Sequence, residues 1–217
     1  MKIQWLGHAS FLITLASGKK ITTDPFDAKV GYPIPGLHAG IVTVSHQHFD
    51  HNAVENVPGR PVIVQEEGLH SLGEIKITGI PSYHDTVKGN QRGKNIIFTI
   101  EAEGLRICHL GDLGHVLNPG QVEQIGEVDV LLIPVGGYFT IDAGTAVKVV
   151  EQLKPKIAVP MHYKTSYVSL PINKVDDFLS HYPEYRTERE LVVSAEDALP
   201  PMQVVRLRLC LGEKNEL

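Results

Sequence analysis

IVTVSHQHFDHN, residues 41–52, joins a short apolar run to a dense group of polar side chains. The apolar run is rich in valine and predicts a buried strand that ends where the polar group begins. Side chains alternate along an extended chain, so positions 46, 48 and 50 project to the same side. Four groups that can ligate a metal ion therefore follow one strand end: His46, His48, Asp50 and His51.

This cluster favours a metal site over a polar surface loop that happens to contain histidines. Desolvating imidazoles and a carboxylate together costs several kcal/mol unless something pairs with them. A divalent ion does so directly, and neutral imidazole with carboxylate suits zinc, iron, nickel or manganese. The chain holds 11 histidines, many more than this loop alone requires.

Further candidate ligands follow other predicted strands. Ligand sites in α/β proteins gather at the carboxyl ends of strands, so these positions are expected to meet the first cluster in space. The candidates are His84 after residues 75–79, Asp112 after residues 105–110 and His162 after residues 157–160.

Short Val- and Ile-rich runs separated by Gly, Pro and Asp predict a strand-rich chain. The predicted strands are residues 2–6, 10–15, 19–23, 41–44, 61–64, 75–79, 96–101, 105–110, 130–134, 157–160 and 203–209. Apolar spacing predicts a helix over residues 142–153 with Asp142 as its N-cap, and a second helix over residues 173–180 capped by Asn173. Weaker helix signals lie at residues 51–56, 66–72 and 118–125.

A faint repeat relates the two parts of the chain. FLITLASGKKITTD (residues 11–24) and FTIEAEGLRICHLGD (residues 98–112) both read as strand, glycine turn, strand and aspartate. We interpret this as a single domain, residues 1–217, built of two similar β-rich halves that face each other. Asp24 and Asp112 would then occupy related strand ends. Chance similarity between two hairpins is the alternative.

Composition narrows the classes of protein. The 217 residues are 42% hydrophobic and 21% charged with a net charge of −5, which excludes disorder as the main state and predicts no nucleic-acid partner. No signal peptide or membrane span is evident, and two cysteines cannot form a disulfide framework. We therefore expect a cytoplasmic protein with a small-molecule substrate and no membrane partner; a homo-oligomer stays open.

The ordered motif His46-x-His48-x-Asp50-His51, followed by His84, Asp112 and His162, resembles the metallo-β-lactamase superfamily. A closer likeness is to its small, stand-alone metal-dependent hydrolases, the branch that includes ascorbate-6-phosphate lactonase and N-acyl-phosphatidylethanolamine phospholipase D. This closer likeness rests on four segments: WLGHASFLI (5–13), TDPF (23–26), GD (111–112) and PMHY (160–163). The resemblance implies an α/β (α+β) fold, a four-layer αββα sandwich with metal ions at one edge between the sheets.

The same resemblance implies a ligand set. It assigns His46, His48 and His84 to one metal ion, and Asp50, His51 and His162 to a second, with Asp112 bridging both.

Two further residues near strand ends belong beside the metal. His8 is either a ligand or a donor that orients one; as a ligand it would close the site around one six-coordinate nickel, manganese or iron ion. Asp24 is expected to accept a hydrogen bond from a ligand histidine.

The chemistry expected of such a site is hydrolysis by metal-activated water on an ester, lactone or phosphodiester. One or two divalent ions are required, with zinc favoured and manganese, nickel or iron as alternatives. The candidate catalytic residues are Asp112, to orient the water and move its proton, together with Asp50 and Tyr163, the latter as an oxyanion donor. The alternative is a non-hydrolytic metal-binding protein with a coordinatively filled mononuclear site.

Other residues receive smaller roles. Tyr138 is a candidate hydrogen-bond donor at the rim of the site, and Lys164 is a candidate to attract a phosphate or carboxylate. An ordinary surface position is the alternative for each. His109 and His115, which flank Asp112, are interpreted as structural or rim residues. A covalent nucleophile is not expected, because Gly-x-Ser-x-Gly is absent and Cys108 lies within a strand pattern.

Overall fold

A computed structural model describes residues 1–196 and 202–210, in which short strands dominate. In chain order they are β1 Lys2–Gly7, β2 Ser10–Thr14, β3 Lys20–Thr23, β4 Ile41–Thr43, β5 Val62–Val64, β6 Gly68–Leu72, β7 Ile75–Tyr83, β8 Lys94–Ala102, β9 Leu105–His109, β10 Val130–Pro134, β11 Ile157–Met161, β12 Arg186–Glu188, β13 Leu191–Val192 and β14 Gln203–Leu207. The α-helices are α1 Pro119–Ile125, α2 Ala143–Leu153 and α3 Asp176–Leu179, and 3₁₀ turns span Ala28–Val30 and Val54–Asn56.

The strands form two mixed sheets. One has the order β13-β1-β2-β3-β4-β5, and the other has the order β12-β14-β11-β10-β9-β8-β7-β6. In the first sheet, β1 through β5 pair antiparallel twice and then parallel twice. In the second, β7 through β11 follow the same succession. These pairings support the hypothesis of two similar halves.

One core joins the two sheets. Phe11 and Ile21 of the first sheet and Phe98 and Leu132 of the second belong to the same buried apolar cluster, together with the inner face of α2. A smaller cluster lies around β4: Ala39, Val42, Val44 and Val57. The predicted α+β class is confirmed. None of the helices among the described residues is long and apolar enough to cross a membrane.

Two of the predicted helices form where expected. α2 begins after Asp142, whose side chain accepts a hydrogen bond from the backbone N–H of Thr145 at 2.8 Å. α1 begins after Asn118, which forms a capping box with Gln121. In both cases a polar side chain satisfies a backbone N–H that the first helical turn leaves free.

The helix predicted over residues 173–180 is shorter than expected, and Asn173 does not cap it. α3 follows Val175, without a side-chain cap. The backbone of Asn173 instead bonds to two loops, its N–H to the carbonyl of Gly136 and its carbonyl to the N–H of Lys164. Asn173 is therefore held in an extended connection rather than at a helix start.

The helix prediction over residues 66–72 is wrong. Residues Gly68–Leu72 form β6, which pairs antiparallel with β7 across a tight turn. The side chains of β6 are largely exposed, so helical spacing had no apolar face to bury. Over residues 51–56 only the 3₁₀ turn Val54–Asn56 is regular. The sequence analysis missed β12 and β13, short outer strands with little apolar pattern. β14 ends at Leu207, before the predicted end at residue 209.

The topology carries the histidines and aspartates to one edge. Parallel neighbours such as β3 with β4, and β9 with β10 and β11, end on the same side of their sheet. The sequence-predicted residues follow these and neighbouring strand ends: His8 after β1, Asp24 after β3, His46 after β4, His84 after β7, Asp112 after β9 and His162 after β11.

Gly114 lets two of these strand ends touch. Its N–H donates to the carbonyl of Tyr83 at 2.9 Å, which joins the GDLG loop of residues 111–114 to the end of β7. A Cβ atom at Gly114 would collide with the backbone of His84 and Asp85. The close approach of Asp112 to His84 therefore depends on glycine at this position.

We predict that Gly114→Ala destabilises the protein by about 1–3 kcal/mol, because rigid backbone must move to admit one methyl group. The measurement is the free energy of unfolding in urea. Gly144→Ala is the matched control. Gly144 lies exposed in α2, and an added Cβ there meets only the Asp142 side chain at 3.9 Å. That control should stabilise the protein by roughly 0.5–1 kcal/mol. Equal effects of the two substitutions would contradict this account.

Candidate metal centre

The structure brings all the sequence-predicted ligands into one centre. They form three overlapping groups, and within each group the potential ligand atoms lie within 4.8 Å of one another. The groups are His46, His48 and His84; His8, Asp50, His51 and His162; and His46, His51 and Asp112.

Asp112 lies at the middle of the centre. Its Oδ2 is 3.0 Å from Nε2 of His84 and 3.3 Å from Nε2 of His162, while Oδ1 is 3.2 Å from Nε2 of His51. Burial opposes ionisation of Asp112, but His162 and His51 outweigh it and hold the pKa of this carboxyl well below its usual range. The two oxygens of one ionised carboxylate therefore face different histidines.

Many polar atoms of the centre have no hydrogen-bond partner among the described residues. Leaving such a group buried and unsatisfied costs about 1–3 kcal/mol. Converging imidazole nitrogens and a carboxylate oxygen form the donor set that divalent transition metals prefer. The residues therefore fit a bound metal ion. The unpartnered atoms are Nδ1 of His8, Nε2 of His46, Nε2 of His51, Nδ1 of His84, Oδ1 of Asp112 and both ring nitrogens of His162.

Asp24 contacts His51 on the side of the ring opposite to Asp112. Nδ1 of His51 donates to Oδ2 of Asp24 at 2.8 Å, which leaves Nε2 of His51 facing Asp112. Asp24 also accepts the backbone N–H of Ser45 at 2.8 Å and its hydroxyl at 2.6 Å. Burial opposes the charge on Asp24, but His109 and His51 lower the pKa of its carboxyl. A hydrogen bond from a histidine of the cluster is the contact expected of Asp24.

Ser45 links Asp24 to His46, and the sequence analysis missed it. Because its hydroxyl proton is directed to Asp24, Oγ of Ser45 accepts the Nδ1–H of His46 at 3.0 Å. This tautomer leaves Nε2 of His46 free to ligate a metal ion. The available signal was a hydroxyl residue directly before the first histidine of the motif.

His8 sits in a turn that ties two strand ends together. Its backbone has φ 52°, and its carbonyl oxygen accepts the indole N–H of Trp5 at 2.9 Å and the N–H of His162 at 3.0 Å. Nε2 of His8 lies 3.1 Å from Oδ2 of Asp50. Burial and the neighbouring His162 lower the pKa of His8 to about 4, so the ring is neutral at pH 7. This position suits both a ligand and a donor that orients Asp50.

Tyr163 does not face the centre, which corrects its assignment as an oxyanion donor. Its ring stacks on Trp5 at a centroid distance of 5.1 Å, and its hydroxyl is hydrogen-bonded to Arg206. His162 has φ 52°, and the residue that follows it is buried against the core. Burial raises the pKa of the Tyr163 phenol. Adjacency to His162 in sequence therefore did not bring this side chain to the site.

The lesser candidates have other positions. Nζ of Lys164 donates to the carbonyl of Leu170 at 2.7 Å, and Tyr138 is 63% exposed. His109 donates from Nε2 to the carbonyl of Ala9 at 2.7 Å, and His115 accepts the N–H of Tyr83. Both histidines form hydrogen bonds with backbone groups, which agrees with their interpretation as structural residues.

Cys108 is free and fully buried in β9, and burial raises the pKa of its thiol. A thiol that resists ionisation is a poor nucleophile, which supports chemistry without a covalent cysteine intermediate.

Two clefts open onto the centre. One has a volume of about 650 Å³, and its lining includes His48, Asp50, His84 and Asp112 together with Arg92, Phe139 and Leu170. The other, of about 570 Å³, runs along Ser45, His46 and His48 and is also lined by Arg92.

Comparison with known proteins agrees with this geometry. A family model described as the beta-lactamase superfamily domain matches residues 2–162. The chain belongs to the metallo-β-lactamase superfamily. It is 33% identical over 197 residues to a UPF0173 metal-dependent hydrolase of Archaeoglobus fulgidus, covering 76% of this chain and 84% of that protein. A UPF0173 metal-dependent hydrolase of Thermococcus onnurineus is 31% identical, covering 76% of this chain and 85% of the relative.

Solved structures show the same fold. A Thermotoga maritima protein, assigned as a zinc-dependent hydrolase of the superfamily, is 41% identical and superposes with a TM-score of 0.79 over 95% of this chain and 99% of its own. An isothiocyanate hydrolase from Delia radicum gut bacteria has a TM-score of 0.70 over 90% of this chain and 100% of its own; at 14% identity this likeness shows the fold alone. The predicted family and fold are confirmed, and the protein is a metal-dependent hydrolase.

We predict that Ser45→Ala weakens zinc affinity about 10- to 100-fold, because His46 loses the acceptor that sets its tautomer. The measurement is competition for zinc with a chromogenic chelator. Ser71→Ala, at an exposed position of β6, is the control and should bind zinc like the parent protein. Unchanged affinity in Ser45→Ala would show that the Asp24–Ser45–His46 contacts do not orient the ligand.

Proposed function

We propose that this hydrolase holds two divalent ions, with zinc as the preferred metal, and cleaves an ester, lactone or phosphodiester. The observation that carries the proposal is the buried Asp112 carboxylate, whose two oxygens face the Nε2 atoms of different histidines. A carboxylate in this position suits a bridge between two ions. In one ligand group we place His46, His48 and His84, and in the other Asp50, His51 and His162.

The Lewis acidity that such ions supply lowers the pKa of a water molecule to about 7 and polarises the oxygen of the scissile group. Asp112 would orient the attacking water and take up its proton as the water oxygen bonds to the carbonyl carbon or the phosphorus. That proton then passes to the alkoxide or phenoxide that leaves as the scissile bond breaks. Asp50 is held by His8 at 3.1 Å and adds negative charge beside His51. Asp24 and Ser45 fix the rings of His51 and His46, so the site needs no rearrangement to bind the ions.

A small-molecule substrate suits the cleft of about 650 Å³ above the centre. The composition gives no reason to propose a nucleic-acid or membrane partner. We retain a cytoplasmic location as a proposal from the sequence. The alternative of a non-hydrolytic metal-binding protein is less well supported, since the relatives with 31–33% identity are named as hydrolases.

Asp112→Asn and His46→Ala should each lower kcat/KM on the order of a thousandfold, since each removes several kcal/mol of transition-state stabilisation. The assay uses 4-nitrophenyl acetate and bis(4-nitrophenyl) phosphate with zinc-loaded protein, and circular dichroism checks the fold. His181→Ala removes an exposed histidine outside the clefts and is the control. Full activity in a folded Asp112→Asn variant would overturn the proposal.

Acidification should destabilise the zinc-loaded protein more steeply than the metal-free protein. Burial lowers the pKa of His8 to about 4, and burial with His51 holds the pKa of His46 well below 6.5. On acidification the unfolded chain protonates these two histidines at a higher pH than the folded protein does, so their contribution to stability is present above pH 6.5 and is lost as pH falls.

At His51 and His84, burial lowers the pKa but Asp112 outweighs it and raises both values. Their contribution has the opposite sign: it is present below pH 6.5 and lost as pH rises through the folded pKa.

In the metal-free protein, protonated His51 and His84 partly offset the loss of stability at low pH. Bound metal removes this offset, because every ligand imidazole must be neutral. We expect the Tm to fall between about pH 7.5 and about pH 5 in excess zinc, and to fall less in a chelator. Parallel slopes under the two conditions, or a constant Tm in zinc, would contradict the ligand assignment.

A further inference from the structure

The loop that follows His84 is built around one carboxylate. Asp85 accepts four backbone N–H groups, those of Val87 and Gly89 at 2.8 Å, Gln91 at 2.9 Å and Arg92 at 2.8 Å. Burial opposes the charge, but these donors lower the pKa of the Asp85 carboxyl to about 2. The conformation of residues 85–92 is therefore fixed by hydrogen bonds between the Asp85 carboxylate and the backbone of the loop.

One of those side chains, Arg92, lines the clefts that open onto the metal centre. It lines both clefts, together with His84 and Asp112 in one and with His46 in the other. Its guanidinium carbon lies 5.7 Å from the ring centroid of Phe139, within the range of a cation–π contact. The loop and the aromatic ring together hold the positive charge at the mouth of the site.

Among the described residues, no carboxylate forms an ion pair with the guanidinium of Arg92. Among residues 1–196 and 202–210, the arginine that forms an ion pair with a carboxylate is Arg106, with Glu101. In the larger cleft, Asp112 faces histidines and Asp50 contacts His8. Glu66 and Glu67 line the smaller cleft with Arg92, and among the described residues neither forms an ion pair with it. A half-buried guanidinium presents a fork of donors whose natural complement is a carboxylate or a phosphate.

The surroundings of Arg92 indicate the rest of the ligand. Phe49 is 47% exposed at the same cleft, and Phe139 and Leu170 are half-buried there. A cation flanked by apolar side chains suits a molecule with one anionic end and a nonpolar body. The chain as a whole carries a net charge of −5, so a cation at this cleft stands out from the overall charge and attracts anionic molecules to it.

We propose that Arg92 binds an anionic oxygen group of the substrate, a carboxylate or a phosphate, while the bond to be cleaved lies over the metal centre. This inference rests on the proposed hydrolytic function and narrows it to anionic substrates. Arg92 is a binding residue, and the specificity it provides is a preference for anionic over neutral substrates.

The test measures kcat/KM of the zinc-loaded protein for three chromogenic substrates. They are mono(4-nitrophenyl) succinate, its neutral methyl ester, and bis(4-nitrophenyl) phosphate. In Arg92→Gln the ratio of kcat/KM for the anionic succinate to that for the methyl ester should fall about 10- to 100-fold, mainly through KM, as expected for one charged hydrogen-bonded contact. Arg92→Lys should retain part of the ratio, because it keeps the charge and loses the fork.

Lys88→Gln is the matched control. Lys88 lies exposed on the same loop, outside both clefts, so this variant removes one positive charge without touching the site. Its ratio should equal that of the parent protein. A preference for the anionic succinate that survives Arg92→Gln would overturn the proposal. So would a parent enzyme that neither prefers this substrate nor binds phosphate more tightly than Arg92→Gln does.

A binding experiment separates this proposal from hydrolysis itself. Succinate and inorganic phosphate are titrated calorimetrically into zinc-loaded parent and Arg92→Gln proteins, with zinc content measured in both. Arg92→Gln should raise Kd at least about tenfold for the anion that the cleft takes. A response to succinate alone assigns a carboxylate, and a response to phosphate alone assigns a phosphate. If the parent hydrolyses no substrate but this loss of affinity appears, hydrolysis fails and anion binding stands; if both anions bind the two proteins equally, the role of Arg92 is refuted.

Discussion

The structure depends on one buried carboxylate surrounded by imidazoles. Asp112 is 1% exposed, and His51, His84 and His162 each place Nε2 within 3.3 Å of one of its oxygens. An isolated charge in this position would be too costly to bury, and neutral rings without partners would also be unfavourable. A bound metal ion would make this arrangement favourable, and metal binding would then be linked to the stability of this edge of the fold.

The two sheets supply the rigid frame for that centre. Each ligand follows a strand end, and contacts behind the ligands limit how their rings turn. Asp24 holds His51 directly and His46 through Ser45. The carbonyl of His8 joins the first strand to the turn at His162. Such supports decide whether imidazoles meet a metal ion with the correct nitrogen, which local sequence alone does not specify.

The candidate ligands could be predicted because they cluster in sequence and follow apolar strands, and Asp24 could be predicted beside them; the other supporting residues could not. Ser45 and Asn95 act through hydrogen bonds across the fold, to Asp24 and to the N–H of Asp112. Tyr163 shows the limit of adjacency, because the strained backbone at His162 is followed by a side chain that stacks on Trp5. Similarly, residues 66–72 carry a helix signal of their own, but Gly68–Leu72 form β6 because they pair with β7. Pairing between distant segments is the information that a local pattern lacks.

The central claim is that this cluster holds two metal ions. Elemental analysis of protein purified without added metal or chelator tests it most directly. The account predicts about two zinc ions per chain, the number that a carboxylate bridge between two ligand groups requires. One nickel, manganese or iron ion per chain would contradict the two-metal assignment and would place His8 among the ligands of a single ion. No metal retained, and none taken up on titration, would contradict the metal centre itself.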